Sequence, residues 1–422
     1  MKKTLLASIM KFKVLLFYSI VLLGISGAEL NAKAKSAPIK MKVEAPKTWV
    51  TTWSTAPQLV EPNNMPPAPG LTNNTIRQIV RVSIGGEAVR LRFSNVFSNS
   101  PVTLKSVSIA VPTEESTVDI ATQKLLTFDK KSEVTMTANA EIVSDPIAFK
   151  LAPGTKLAIT ISFGETSPTV TGHPGSRTTS FILAGNQMTS ADFAGATKTD
   201  HWYVINAIDV QTSSKAAAIA IIGNSITDGR GSVTNKQNRW ADVFSERLLK
   251  NPSTNQLAVL NLGIGGNCVV RGGLGPTALN RFDRDILAQN GVRWLIIFEG
   301  INDIGGIRSK EIAPQMAKEL IDAYTQMIDK AHAKGIKVYG ATIMPFAKSF
   351  YDADYRQTSR DTVNAWISAS GRFDAVIDFD KTMENPGAPK TILPDMHDND
   401  FLHPNEAGHK RIGESIDLNL FK

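Results

Sequence analysis

The apolar residues of this chain change period once. From about Trp49 to Val210 they recur at every second position: "EAVRLRFSN" alternates Val89, Leu91 and Phe93 with Arg90 and Arg92, and "KLAITISF" sets Leu157, Ile159, Ile161 and Phe163 between smaller or polar residues. Such alternation puts one face of a strand in a core and the other in water. Gly85 and Gly86 separate two of these runs as a hairpin turn does. Many short strands punctuated by Pro, Gly and Asn predict a β-sandwich or jelly-roll domain over residues 48–210. Beyond "QTSSK" at 211–215 the apolar runs become continuous and alternate with helix-length segments, with strands predicted at 216–222, 257–262, 292–298, 336–343 and 374–379. Between the third and fourth, Met316, Leu320, Tyr324, Met327, Ile328 and Ala331 share one face of a helix that Gly335 stops. Strands buried on both faces and joined by helices mean a five-stranded parallel sheet with helices on both sides, an α/β domain over residues 216–422.

The first residues read differently. The run "VLLFYSIVLLGISGA" behind Lys2, Lys3, Lys11 and Lys13 is expected to be a secretory signal peptide covering residues 1–34, with Ala32 and Ala34 satisfying the small-x-small cleavage rule and a cut near Ala28 as the alternative. The apolar stretch is short of a full span, so no stable membrane anchor is expected after cleavage. Charge then loses its apparent meaning: the net +7 includes five lysines and one glutamate in residues 1–34, and 7 − 4 leaves +3. That is no nucleic-acid footprint, and no nucleic-acid partner is expected. Cys268 is the single cysteine, so an exported chain has no internal disulfide and relies on packing.

In open α/β sheets, sites form beyond the carboxyl ends of the strands. Four such segments carry unusual polar residues: "GNSITDG", "NLGIGGN", "FEGIND" and "DNDFLHPNEAG". A serine after a strand is often only a helix N-cap, and "GNSIT" lacks the last glycine of the G-x-S-x-G elbow. A nucleophilic serine needs a base that a third group orients. Asp400 and His403, three residues apart, supply that pair for Ser225. Acyl transfer also needs donors aimed at an oxyanion, and Gly266 offers a backbone N–H and Asn302 a side-chain amide.

Taken together, Ser225 in "GNSITDG", Gly266 in "NLGIGGN", Asn302 in "GIND" and His403 in "DFLHPN" resemble the four blocks of the SGNH (GDSL-type) hydrolase family. With "NNTIRQIVR" and "NRWADVF" the chain also resembles an exported two-domain subgroup with an N-terminal β-rich domain. The resemblance implies a flavodoxin-like three-layer α/β/α fold and ester hydrolysis through an acyl-serine, without metal or organic cofactor. It implies a Ser225, His403, Asp400 triad and an oxyanion hole from the Ser225 and Gly266 N–H groups and the Asn302 amide. Asn224 departs from the usual Gly-Asp-Ser; it is uncharged and donates as well as accepts, which bears on positioning behind the nucleophile and on pH dependence.

The expected substrate is a small-molecule or polysaccharide ester, above all an acetyl ester of a carbohydrate. The alternatives are a GDSL lipase or lysophospholipase, an acyltransferase, and a non-catalytic glycan-binding relic. The loop around His173 is expected to overhang the site, and Phe346, with Phe350 and Tyr351, to line an acyl channel. Trp49, Trp53 and Trp202 read as core rather than as a sugar platform. Asp395, His397, Asp398, Asp400 and His403 are dense enough to suggest a metal site, but a metal there would compete with the serine's base, and none is expected.

Overall fold

The computed structural model describes residues 47–422; the expected signal peptide lies outside them. The β-rich part rests on β1 (Lys47–Ser54), β2 (Thr75–Arg81), β3 (Gly86–Ser94), β4 (Val102–Pro112), β5 (Val118–Leu125), β6 (Lys156–Phe163) and β7 (Ile205–Ser213). One antiparallel sheet runs β1-β7-β3, and a second runs β2-β6-β4-β5, each extended by shorter strands. Their inward residues, among them Val89, Leu91, Phe93 and Val210 from the first and Val107, Ile109, Ile159 and Ile161 from the second, join in one apolar cluster. Trp53 and Trp202 are buried in it and meet edge to face at 5.0 Å, while Trp49 is half-buried beneath the Arg90 guanidinium.

The expected hairpin at Gly85–Gly86 does not form. β2 and β3 belong to different sheets, and the two glycines carry the chain across. A Cβ at Gly85 would stand 2.2 Å from the Leu151 carbonyl oxygen and one at Gly86 2.6 Å from that of Gln211, so close backbone approach, not a reverse turn, selects glycine here.

The second part is a parallel sheet of β8 (Ala217–Gly223), β9 (Leu257–Gly263), β10 (Val292–Phe298), β11 (Lys337–Ala341) and β12 (Ala375–Ile377), in the order β9-β8-β10-β11-β12. This is a flavodoxin-like order, with its switch point beside β8. The last two strands are shorter than the sequence predicts; after β12, Asp378 turns the chain out of the sheet by accepting the Lys381 N–H. Period two sorts the β8 side chains. Ala218, Ala220 and Ile222 pack with Leu320, Tyr324 and Met327 of a helix at Ala313–His332, whereas Ala217, Ile219 and Ile221 pack with Trp240, Phe244, Leu248 and Ile412 on the other face. Each fully buried Leu or Ile contributes roughly 1.5–3 kcal/mol, so packing rather than helix propensity holds these layers. Gly335, at φ +71°, ends that helix as expected.

The two parts share a seam along the edge strand β9. Ser83 Oγ donates to the Val259 carbonyl (3.0 Å) and accepts the Val259 N–H (3.1 Å), closing both outward ladder groups of that residue. Thr51 N–H donates to Asn290 O at 3.0 Å nearby. Among the described residues no helix is long and apolar enough to cross a membrane.

Candidate active site

The apolar run of β8 stops at Gly223, where a Cβ would lie 2.2 Å from Thr227 Oγ1. The next residue, Asn224, is the N-cap of a one-turn helix, α1 (Ser225–Asp228), and its Oδ1 accepts the Ile226 N–H at 3.0 Å. Capping therefore falls to Asn224 and leaves the Ser225 hydroxyl for other work. Ser225 Oγ lies 2.9 Å from His403 Nε2, and His403 Nδ1 lies 2.6 Å from Asp400 Oδ2. The other Asp400 oxygen accepts the backbone N–H groups of Leu402 (3.0 Å) and His403 (2.9 Å). An ionised carboxylate only accepts, so Nδ1 carries the proton and Nε2 is free to accept the serine O–H. Burial holds the His403 imidazole below its ordinary range, with Asp400 pulling it partly back. Burial pushes Asp400 up, but the bonds from the His403 ring and the two backbone N–H groups outweigh it and hold the carboxyl low.

Opposite the imidazole stand the donors. Gly266 sits at φ +69°, in the left-handed region that favours glycine, with its N–H unused by any other group among the described residues. Asn302 lies on a short helix after β10; its Nδ2 donates to Asn267 O at 2.7 Å and keeps a second N–H. The Tyr351 hydroxyl donates to Asn302 Oδ1 at 2.9 Å, which fixes the amide's orientation. Beside it Asp303 accepts the Val269 (2.8 Å) and Val270 (3.0 Å) N–H groups and ties down the glycine-rich loop. Burial pushes its carboxyl up to about 6 against those bonds. Ser225, Gly266, Asn302 and His403 open together into one cleft of about 500 Å³.

Residues 221–411 match the sequence profile of the GDSL-like Lipase/Acylhydrolase family. This region is a GDSL-like hydrolase domain. Solved structures similar to it include a G-D-S-L family protein from Desulfitobacterium hafniense DCB-2 (22% identity, 47% of this chain and 97% of that one, TM-score 0.36). An acetyl xylan esterase (21%, 47% and 96%, TM-score 0.36) and the psychrotrophic esterase EstA from Pseudoalteromonas sp. (20%, 47% and 93%, TM-score 0.35) are others. No curated protein matches the chain.

Two expected pocket residues of the hydrolase domain's cleft lie elsewhere. Phe346 is fully buried in the core, because the loop after β11 turns inward before it turns out. Phe350 and Tyr351 do reach the cleft. His173 is likewise buried; its loop lines the cleft through Pro174, Gly175 and Arg177 instead. The ring instead sits behind the cleft wall, with Nε2 2.8 Å from Asp228 Oδ1 and Nδ1 2.9 Å from Ala56 O. The Ala56 carbonyl accepts from Nδ1, and Nε2 makes a buried hydrogen bond with the Asp228 carboxyl. Among the described residues no three His, Cys, Asp or Glu side chains are grouped to hold a metal ion, and His397 stacks on Phe401 at 4.2 Å.

Sequence reading missed the polar residues that the β-rich part sends to the hydrolase domain, namely Gln58, Glu61, Asn64, Arg177 and His201. It also missed Glu299, buried beside Asn224. Burial pushes that carboxyl well above the usual range; Arg281 opposes this, Asp303 adds to it, and the Asn224 amide pulls it back. A carboxylate at position 224 would face another acid, which gives Asn224 a physical reason.

Proposed function

We propose that the protein is an exported serine esterase that removes short acyl groups, acetyl above all, from carbohydrates. The line Ser225 Oγ, His403 Nε2, Asp400 Oδ2, at 2.9 and 2.6 Å, carries the reading. His403 takes the Ser225 proton as Oγ attacks the ester carbonyl, and the Ser225 and Gly266 N–H groups with the Asn302 amide receive the oxyanion. Collapse of the tetrahedral intermediate returns the proton from His403 to the departing alcohol. Water, deprotonated by the same imidazole, then cleaves the acyl-serine, and Asp400 holds the ring in one tautomer throughout.

The acyl group points away from His403, past Gly266 and Asn302, into an adjoining recess of about 590 Å³. Arg271, Arg308 and Arg356 stand there beside Met316 and Phe350, surroundings that suit an acetyl group better than a long alkyl chain. Hydrolysis of p-nitrophenyl acetate and octanoate by the mature protein and its Ser225→Ala variant tests the reading. The expected outcome is acetate turnover at least about tenfold above octanoate, lost in the variant. Octanoate preference would turn the assignment to a lipase, and turnover that survives in the variant would overturn the triad.

A further inference from the structure

Resting on the esterase reading, we infer that the alcohol half of the substrate is an acidic sugar whose carboxylate is held by Arg177 and Arg230 at the cleft mouth. The direction follows from the chemistry. His403 returns a proton to the leaving oxygen, so the alcohol lies on the His403 side of Ser225, opposite Gly266 and Asn302. The cleft is lined by Arg230, one residue past the C-cap of α1, and by Arg177 from the β-rich part, and neither lines the recess beyond Gly266 and Asn302. Arg230 N–H donates to Ser225 O at 2.9 Å, and its charge bears on the His403 ring.

These two arginines differ from the buried ones. Arg239 is paired with Asp242, Arg281 with Asp285, and Arg77 donates to three carbonyls and a hydroxyl. Neither Arg177 nor Arg230 makes an ion pair or a side-chain hydrogen bond among the described residues. Arg177 Nε is shielded from water, so what this side chain offers the cleft is its terminal nitrogens, which no acid or carbonyl among the described residues occupies. Its backbone is held at φ +49°, left-handed for a residue that is not glycine, by the Asn235 N–H on its carbonyl at 3.0 Å.

The acids in the cleft do not neutralise them. Asp228 is taken by His173, and the two Glu61 oxygens accept from Gln58 Nε2 (2.6 Å) and Asn64 Nδ2 (3.0 Å). Glu61 keeps lone pairs for sugar hydroxyls. A planar carboxylate matches the guanidinium fork.

The test compares acetylated galacturonate oligomers with the same oligomers after methyl esterification, which keeps sugar and acetyl group and removes the charge. The acidic form is expected to be deacetylated with a kcat/KM roughly tenfold to a hundredfold higher, mostly through KM, and the preference to shrink in high salt. Arg177→Gln should collapse that ratio towards unity. Arg230→Gln should do the same, and a thermal melt shows whether each variant folds. Equal rates on both forms by the unmodified protein, a ratio that survives in both folded variants, or p-nitrophenyl acetate turnover without action on the acidic oligomer would each overturn the inference. Loss of p-nitrophenyl acetate turnover as well would instead bring down the esterase reading beneath it.

Discussion

In the proposed mechanism His403 has to be neutral to accept the serine proton, so activity is expected to rise with pH as its imidazolium deprotonates. Burial depresses that ring more than Asp400 restores it. The acid limb of kcat/KM on p-nitrophenyl acetate is therefore expected to have its midpoint below the ordinary histidine value of about 6.5, measured between pH 4.5 and 8. A midpoint above 7 would contradict the burial described. The proposed triad was legible in the sequence because each member needs another of a different type, and the chain offers Ser225 in one strand-end block and Asp400 with His403 in another. Phe346, Phe350 and Tyr351 were not separable in that way. All three are aromatic in one loop, and which of them faces the cleft depends on the path of the backbone, not on residue type. The lock of Tyr351 on Asn302 spans 49 positions and leaves no local signal.

Short elements bind the cleft wall together. The strand Thr171–His173 and helix α1 meet only through side chains, with the His173 and Asp228 pair buried between them. Removing the ring leaves the buried Asp228 carboxyl without its hydrogen-bond partner, so His173→Ala is expected to cost about 1–3 kcal/mol of stability in chemical denaturation. It should also slow kcat on p-nitrophenyl acetate, since α1 carries Ser225. A change below about 1 kcal/mol would mean that water replaces the ring without loss. The five parallel strands were readable because residues that feed both helical layers form unbroken apolar runs. The antiparallel sheets were readable only as faces: period two says which side chain goes inward but not which strand lies alongside. Gly85–Gly86 shows the difference, a turn by composition and a crossing by pairing.

At the scale of the whole molecule, the described residues 47–422 form one compact unit. The β-rich part is a wall of the cleft and also a cover for the β9 edge. A chain beginning at Lys215 would carry every member of the triad yet expose the Val259 N–H and carbonyl along a strand of apolar residues. Such a truncated chain is expected to self-associate at micromolar concentration, seen as a mass that grows with concentration in light scattering, where the longer chain does not. A stable monomer would show that the edge protects itself. The Ser83 hydroxyl thus has an influence beyond its size. By closing the β9 edge at Val259, where a copy of the same strand could add, it would make solubility a property that the hydrolase half borrows from its neighbour.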